Sequence, residues 1–227
     1  MLDVAILIPV LRRPANAEPQ VLDILSATDC KIEIVFICTV GDTAEIDAVK
    51  AAARSYEQVR YMTISPSKIG DYARKINFGV NETDSHYVFT GADDLHFHSN
   101  WFGAATAAYA ATGCRVIGTQ DLGNRRVLKG EHSTHSLVRR SYITDYGTID
   151  EADKLLHEGY PHEFVDDEFV ETARARGEFV FAHRSVVEHL HPLWGKAPTD
   201  DLYDAQHKRM AHGRRVYTKR RRLWMSR

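Results

Sequence analysis

The chain has little cysteine. Three residues, Cys30, Cys38 and Cys114, stand among 227, with no CxxC spacing. That excludes a disulfide framework and a cysteine zinc site, and fits buried free thiols in a reducing, cytoplasmic compartment. No apolar run approaches the ~20 residues of a membrane span. The first apolar run, Val4 to Leu11, lacks the basic start and small-residue cleavage site of a signal peptide. Repeats, low-complexity tracts and linkers are also absent, so one domain over 1–227 is the simplest expectation. Net charge is small, −2, but unevenly placed: residues 208–227 hold nine of the 29 Lys and Arg and no Asp or Glu. A basic C-terminal segment is therefore expected to meet phosphate, an acidic or membrane surface, or the acidic body of its own chain. Aromatic interleaving in that segment is thin, which argues against a nucleic-acid platform.

What is present is a chain with 44% hydrophobic residues, enough for a real core. Val4 to Val10 is continuously apolar and predicts a strand buried on both faces, ending near Pro9. Glu18 to Ala27 has helical spacing, and Ile32 to Cys38 is a second buried strand. Thr43 to Tyr56 predicts a helix with Thr43 as N-cap, and Val59 to Ile64 a third strand. A helix over Gly70 to Val80 precedes a strand over His86 to Ala92. The second half predicts helices over Asn100–Thr112 and Phe164–Arg176, strands over Arg115–Thr119, Phe179–Phe181 and Val186–Val187, and a final helix over Leu202–Lys219. Strand and helix alternate, which indicates an α/β layered domain.

The chemistry begins with Asp93 and Asp94, adjacent carboxylates at the end of the fourth strand. Two like charges there repel and are costly to desolvate. A hard divalent cation removes that cost, since Mg²⁺ and Mn²⁺ take oxygen ligands and share them with substrate phosphates. The competing reading is a solvated loop at a strand end. His189 and His191, two apart near a late strand, are expected on one side of it. They can complete a metal shell as neutral imidazoles or merely pack. Glu163, Asp166, Asp167 and Glu168 crowd a helix start, where acids also favour the macrodipole.

The order of these motifs resembles the inverting glycosyltransferases of family 2. The resembling stretches are Ile8-Pro9-Val10, Thr39 to Asp42, Lys68 to Gly79, Gly91 to Asp94, Ser136 to Ser141, Phe164 to Glu168 and Val186 to Pro192. The resemblance implies a GT-A fold, a Rossmann-like, mixed but mostly parallel sheet flanked by helices. It divides the chain into a nucleotide-sugar half at about 1–100, an acceptor half at about 101–200 and a basic tail at about 201–227. It implies Mn²⁺ or Mg²⁺ held by Asp94, Asp93, His191 and His189. It implies a nucleotide-sugar donor, UDP-sugar favoured, near Pro9, Arg12, Asp42, Lys68, Gly70, Arg74, Asn77, Asp93 and Lys196; Arg13 follows Arg12 at the same nucleotide edge, where a solvated loop is the competing reading. Asp167 is then the expected base, with Asp166 beside it, and the acceptor is a hydroxyl of a glycan, protein or lipid. Two departures stand out. Arg74 and Asn77 are separated, and Ala92 replaces the usual Asp before the metal pair. These motivate an alternative, a degenerate module that binds sugar nucleotide or glycan without turnover. A sugar nucleotidyltransferase fits less well, because Leu11 to Asn16 has Arg but no Gly.

Overall fold

The computed structural model describes residues 2–204 and 206–225. Eight strands form one mixed sheet in the order β3-β2-β1-β4-β7-β6-β8-β5. The first four, β1 (Leu2–Pro9), β2 (Ile32–Thr39), β3 (Val59–Ile64) and β4 (Ser85–Thr90), pair in parallel. Helices α1 (Ala17–Ala27), α2 (Thr43–Ser55) and α3 (Asp71–Asn81) make the crossovers. Alternate residues of β1 explain the layering: Val4, Ile6 and Ile8 enter the core under α1 and α2, while Ala5 and Leu7 enter the core under α3. A strand covered on both faces must be apolar throughout, as this one is.

The second half adds β5 (Leu95–Phe97), α4 (Trp101–Thr112), β6 (Val116–Gln120), α5 (Arg125–Leu128), β7 (Ser136–Arg139) and α6 (Arg140–Tyr146). Then come α7 (Val165–Ala175), β8 (Phe179–His189), α8 (Asp201–Asp204), α9 (Gln206–Arg220) and α10 (Arg222–Met225). Several details differ from the sequence expectations. Helix α2 begins at Thr43, with Asp42 in the capping position and no side-chain cap. The two expected late strands are one, β8, because its edge is carried past a register shift opposite Thr119 and Gln120. Only Cys38 of the three free thiols is fully buried. Of the expected C-terminal helix, residue 205 lies outside the described residues, as do the last two residues of the basic segment. Among the described residues no helix is long and apolar enough to cross a membrane.

Two local features position the chemistry. Gly91 passes so close to β1 that its amide bonds Leu7 O at 2.8 Å, and an added Cβ would lie 2.7 Å from that oxygen. The chain therefore leaves the sheet at the carboxyl edge of β1 and β4, delivering Asp93 and Asp94 there. The short β5 then pairs antiparallel with β8, placing Leu95 opposite His189, and Leu190 N bonds Asp94 O at 2.8 Å.

Candidate active site

A cavity of about 450 Å³ opens at this carboxyl edge. Asp93, Asp94, His189 and His191 line one part of it, and Glu163, Asp166 and Asp167 at the start of α7 line another. Asp93 is 8% exposed, and its Oδ2 is buried without a hydrogen-bond partner among the described residues. Burial, then the neighbouring Asp94, pushes its carboxyl up to about 7, against the pull of Arg13. Asp94 is held the other way. Burial opposes ionisation, but the nearby His189, a hydrogen bond from Tyr203 and the charge of Arg13 keep it well below the usual carboxylate range. His189 Nε2 lies 3.3 Å from Asp94 Oδ1, and Tyr203 Oη donates to Asp94 Oδ2. Arg13 spans the pair, with Nη1 3.4 Å from Asp93 Oδ1 and 3.0 Å from Asp94 Oδ2.

The α7 carboxylates form a second pair of unequal members. Asp166 Oδ2 lies 2.9 Å from Nε2 of the buried His132. Burial works against its charge, but His132 and the first amides of α7 hold its pKa down. Asp167 is pushed up by burial and by Asp166, although Arg126 Nη1 lies 2.7 Å from its Oδ1. Phe164, in front of them, caps the helix at a φ of 73°, a left-handed conformation rare for a bulky residue.

Several residues implied by the resemblance lie elsewhere. Arg12 is exposed, and its amide bonds Asp42 Oδ2 at 2.8 Å. It is Arg13 that turns into the cavity. Lys68 is exposed, and Arg74 Nη1 donates to Ser65 O at 3.3 Å. Gly70 serves packing: an added Cβ would lie 2.2 Å from Glu158 O. Asn77 is buried in backbone contacts, accepting from Leu155 N and Leu156 N and donating to Leu156 O. Lys196 is drawn to Glu188 by charge rather than to the cavity. Pro9 does line it.

In sequence, no family model and no curated protein matches the chain. Solved structures do. The mannosyltransferase PcManGT from Pyrobaculum calidifontis, in complex with GDP-Man and Mn²⁺, has a TM-score of 0.69 and 14% identity, over 94% of this chain and 64% of its own. Glucosyl-3-phosphoglycerate synthase from Mycobacterium tuberculosis, in complex with Mn²⁺, UDP-Glc and phosphoglyceric acid, gives 0.58 and 15%, over 89% and 74%. TarS from S. aureus, in complex with UDP, gives 0.61 and 11%, over 82% and 59%. The fold is GT-A. This chain spans less than two thirds of PcManGT and of TarS.

Within this GT-A sheet, the buried Asp93–Asp94 pair suits a hard cation, because an orphaned carboxylate oxygen beside a second carboxylate is what such an ion satisfies. The imidazoles are less ready. No three of Asp93, Asp94, His189 and His191 bring ligand atoms within 4.8 Å of one another, whereas His132, Asp166 and Asp167 do. His191 Nδ1 accepts from Leu193 N at 3.0 Å, so that nitrogen is occupied. Burial and the adjacent His189 lower His191 to about 4, leaving it neutral near pH 7.

Lys75, His132, Tyr203 and Arg209 line the cavity without having been singled out from the sequence, while Arg13 was expected with Arg12 at the nucleotide edge. Lys75 is fully buried; its Nζ lies 2.9 Å from Asp71 Oδ2 and donates to Val10 O at 2.7 Å. The i,i+4 spacing of Asp71 and Lys75 was its one legible signal. Arg209 and Met210 come from the basic C-terminal segment, whose charge predicted a meeting with phosphate or the chain's own acidic body but not its place in this cavity.

Proposed function

We propose that the protein is a divalent-metal-dependent glycosyltransferase that moves a sugar from a nucleotide diphosphate donor, UDP-sugar favoured, to an acceptor hydroxyl with inversion. One observation carries this: a single cavity at the carboxyl edge of a GT-A sheet holds both the Asp93–Asp94 pair and the Asp166–Asp167 pair. The solved neighbours with GDP-Man, UDP-Glc or UDP support the donor class, and two carry Mn²⁺. We read the whole of 1–227 as one transferase domain, with donor contacts mainly before residue 100 and acceptor contacts after it.

In this reading Asp94 and Asp93 hold the Mn²⁺ or Mg²⁺, with His189 or His191 as further ligands. The bound ion supplies Lewis-acid neutralisation of the departing diphosphate. Lys75 and Arg13 add fixed positive charge at the same edge. The Asp166–Asp167 pair accepts the acceptor hydroxyl's proton, and His132 fixes the position of Asp166. The hydroxyl oxygen then bonds the anomeric carbon, and the electron pair of the breaking C–O bond leaves with the diphosphate.

The test is a thermal-shift panel of UDP-, GDP- and dTDP-sugars with and without Mn²⁺, followed by transfer assays. A Mn²⁺-dependent stabilisation by one nucleotide class is expected. Asp94→Ala should remove it, and full transfer by Asp94→Ala would sink the metal assignment. Asp166→Asn and Asp167→Asn should keep donor binding, and the variant lacking the base should lose about 10²- to 10⁴-fold in rate. Retained binding with neither transfer nor donor hydrolysis would favour the degenerate module, a reading that Arg13 across the acid pair supports.

A further inference from the structure

Of the α7-side carboxylates that line the cavity, Glu163 is the one that neither the proton transfer nor the cation explains. Its side chain is 7% exposed, yet both of its oxygens are buried without a hydrogen-bond partner among the described residues. Its nearest ionic neighbour is Arg209 of α9, Nε to Oε1 at 3.7 Å, too long for a hydrogen bond. Glu163 lines the cavity together with Phe164 and Trp194. A buried carboxylate left unbonded is expensive, because it gives up water and gains no donor in return. Asp93 has a comparable orphaned oxygen, but it sits beside Asp94, and the two could share a cation; the ionic neighbour of Glu163 is instead Arg209.

The chemistry that satisfies such a group is a donor brought by a ligand. A carboxylate takes O–H donors through strong charge-assisted bonds, and its two oxygens accept from two hydroxyls at once. Phe164 and Trp194 in the same cavity lining can stack on the C–H face of a sugar ring. A phosphorylated or carboxylated group set against the Glu163 oxygens would instead meet like charge there, with only Arg209 at 3.7 Å to offset it among the described residues. Arg126 is engaged by Asp167 and His132 by Asp166. We infer that Glu163 is the specificity-determining residue of an acceptor subsite for an uncharged, polyhydroxylated molecule. This rests on the proposed transferase reading of the cavity. Glu163 touches the acceptor away from the reacting hydroxyl, so it governs binding rather than proton transfer.

The experiment uses the full chain with UDP or GDP and Mn²⁺, whichever stabilises it. Binding of methyl β-D-glucoside, methyl α-D-mannoside and glucose 6-phosphate is followed by saturation-transfer NMR titration. At least one methyl glycoside should bind, glucose 6-phosphate should bind at least about 10-fold more weakly, and Glu163→Gln should weaken the glycoside about 10-fold or more. Glu163→Asp, which keeps the charge, should retain part of the affinity. Unchanged nucleotide stabilisation in both variants would confirm that each is folded. Failure of the nucleotide to bind wild type at all would overturn the transferase reading. Nucleotide binding with no glycoside binding, with preference for glucose 6-phosphate, or with undiminished affinity in Glu163→Gln would overturn the role of Glu163 alone.

Discussion

Asp93 shows most directly how a residue can be placed against its own interest. Its folded pKa, about 7, stands above the ordinary carboxylate value of 3.8, chiefly through burial and then through Asp94. Between those values the folded protein holds a proton that the unfolded chain has released. Stability must therefore fall as pH rises from about 3.8 through 7. Asp93→Asn removes the penalty. The variant should be more stable than wild type at pH 8 by about 1 kcal/mol or more, which is about 2–4 °C in Tm for a chain of this size. It should also lose the Mn²⁺-dependent nucleotide stabilisation. A lower Tm at pH 8 would show that the pair is held for packing and not for a ligand. The pair itself was legible in the sequence, because adjacent carboxylates at a strand end are an unusual local pattern. Which of Arg12 and Arg13 enters the cavity was not, since nothing local distinguishes them; a φ of 54° at Arg12 turns one outward and the next inward.

At the scale of elements, the site depends on segments that are neither strand nor long helix. Asn77, on the buried face of α3, fixes the stretch 155–158 through two accepted and two donated hydrogen bonds, the last to Glu158 Oε1. Asn77→Ala should destabilise by about 2–4 kcal/mol, since it strands several buried polar groups at once. Urea unfolding measures this, and a loss below 0.5 kcal/mol, a surface-like value, would contradict the geometry. The resemblance placed Asn77 at the donor; the structure uses it as a brace. Regular elements were readable because apolar periodicity is local. β5 was not, because three residues, Leu95, His96 and Phe97, carry no period, and only pairing with β8 makes them a strand.

Across the whole molecule, charge is organised by return contacts. Arg220, in the basic segment, places Nε 2.8 Å from Glu168 Oε2 and Nη2 2.6 Å from Asp150 Oδ1. Tyr217 Oη and Trp224 Nε1 both donate to Glu171. Part of the basic tail thus neutralises the chain's own acidic body, while Arg214, Arg215 and Lys219 remain exposed on α9. A second such clasp joins Arg115 to Glu178, Nη2 to Oε1 at 2.7 Å. Hydrogen bonding from Arg115 holds Glu178 below its ordinary 4.5. A depressed folded pKa stabilises above the unfolded value and is lost as pH falls through the folded one. Glu178→Gln should therefore cost about 1 kcal/mol at pH 7, and the difference from wild type should shrink below about pH 4. Chemical denaturation at both pH values tests this; a gap that widens in acid would contradict the sign.

The sequence by itself determined the layered α/β architecture and the positions of the two carboxylate pairs. Buried parallel strands must be apolar throughout, amphipathic helices must repeat, and paired acids stand out against both patterns. Tertiary structure alone decided which residues share the cavity. His132 meets Asp166, His189 meets Asp94, and Arg209 reaches Glu163 across 34, 95 and 46 positions of chain. Those meetings come from strand order, from the β5–β8 pairing and from the packing of α9. None of these leaves a local trace, because a contact between distant residues is fixed by how layers close and not by what either residue's neighbours are.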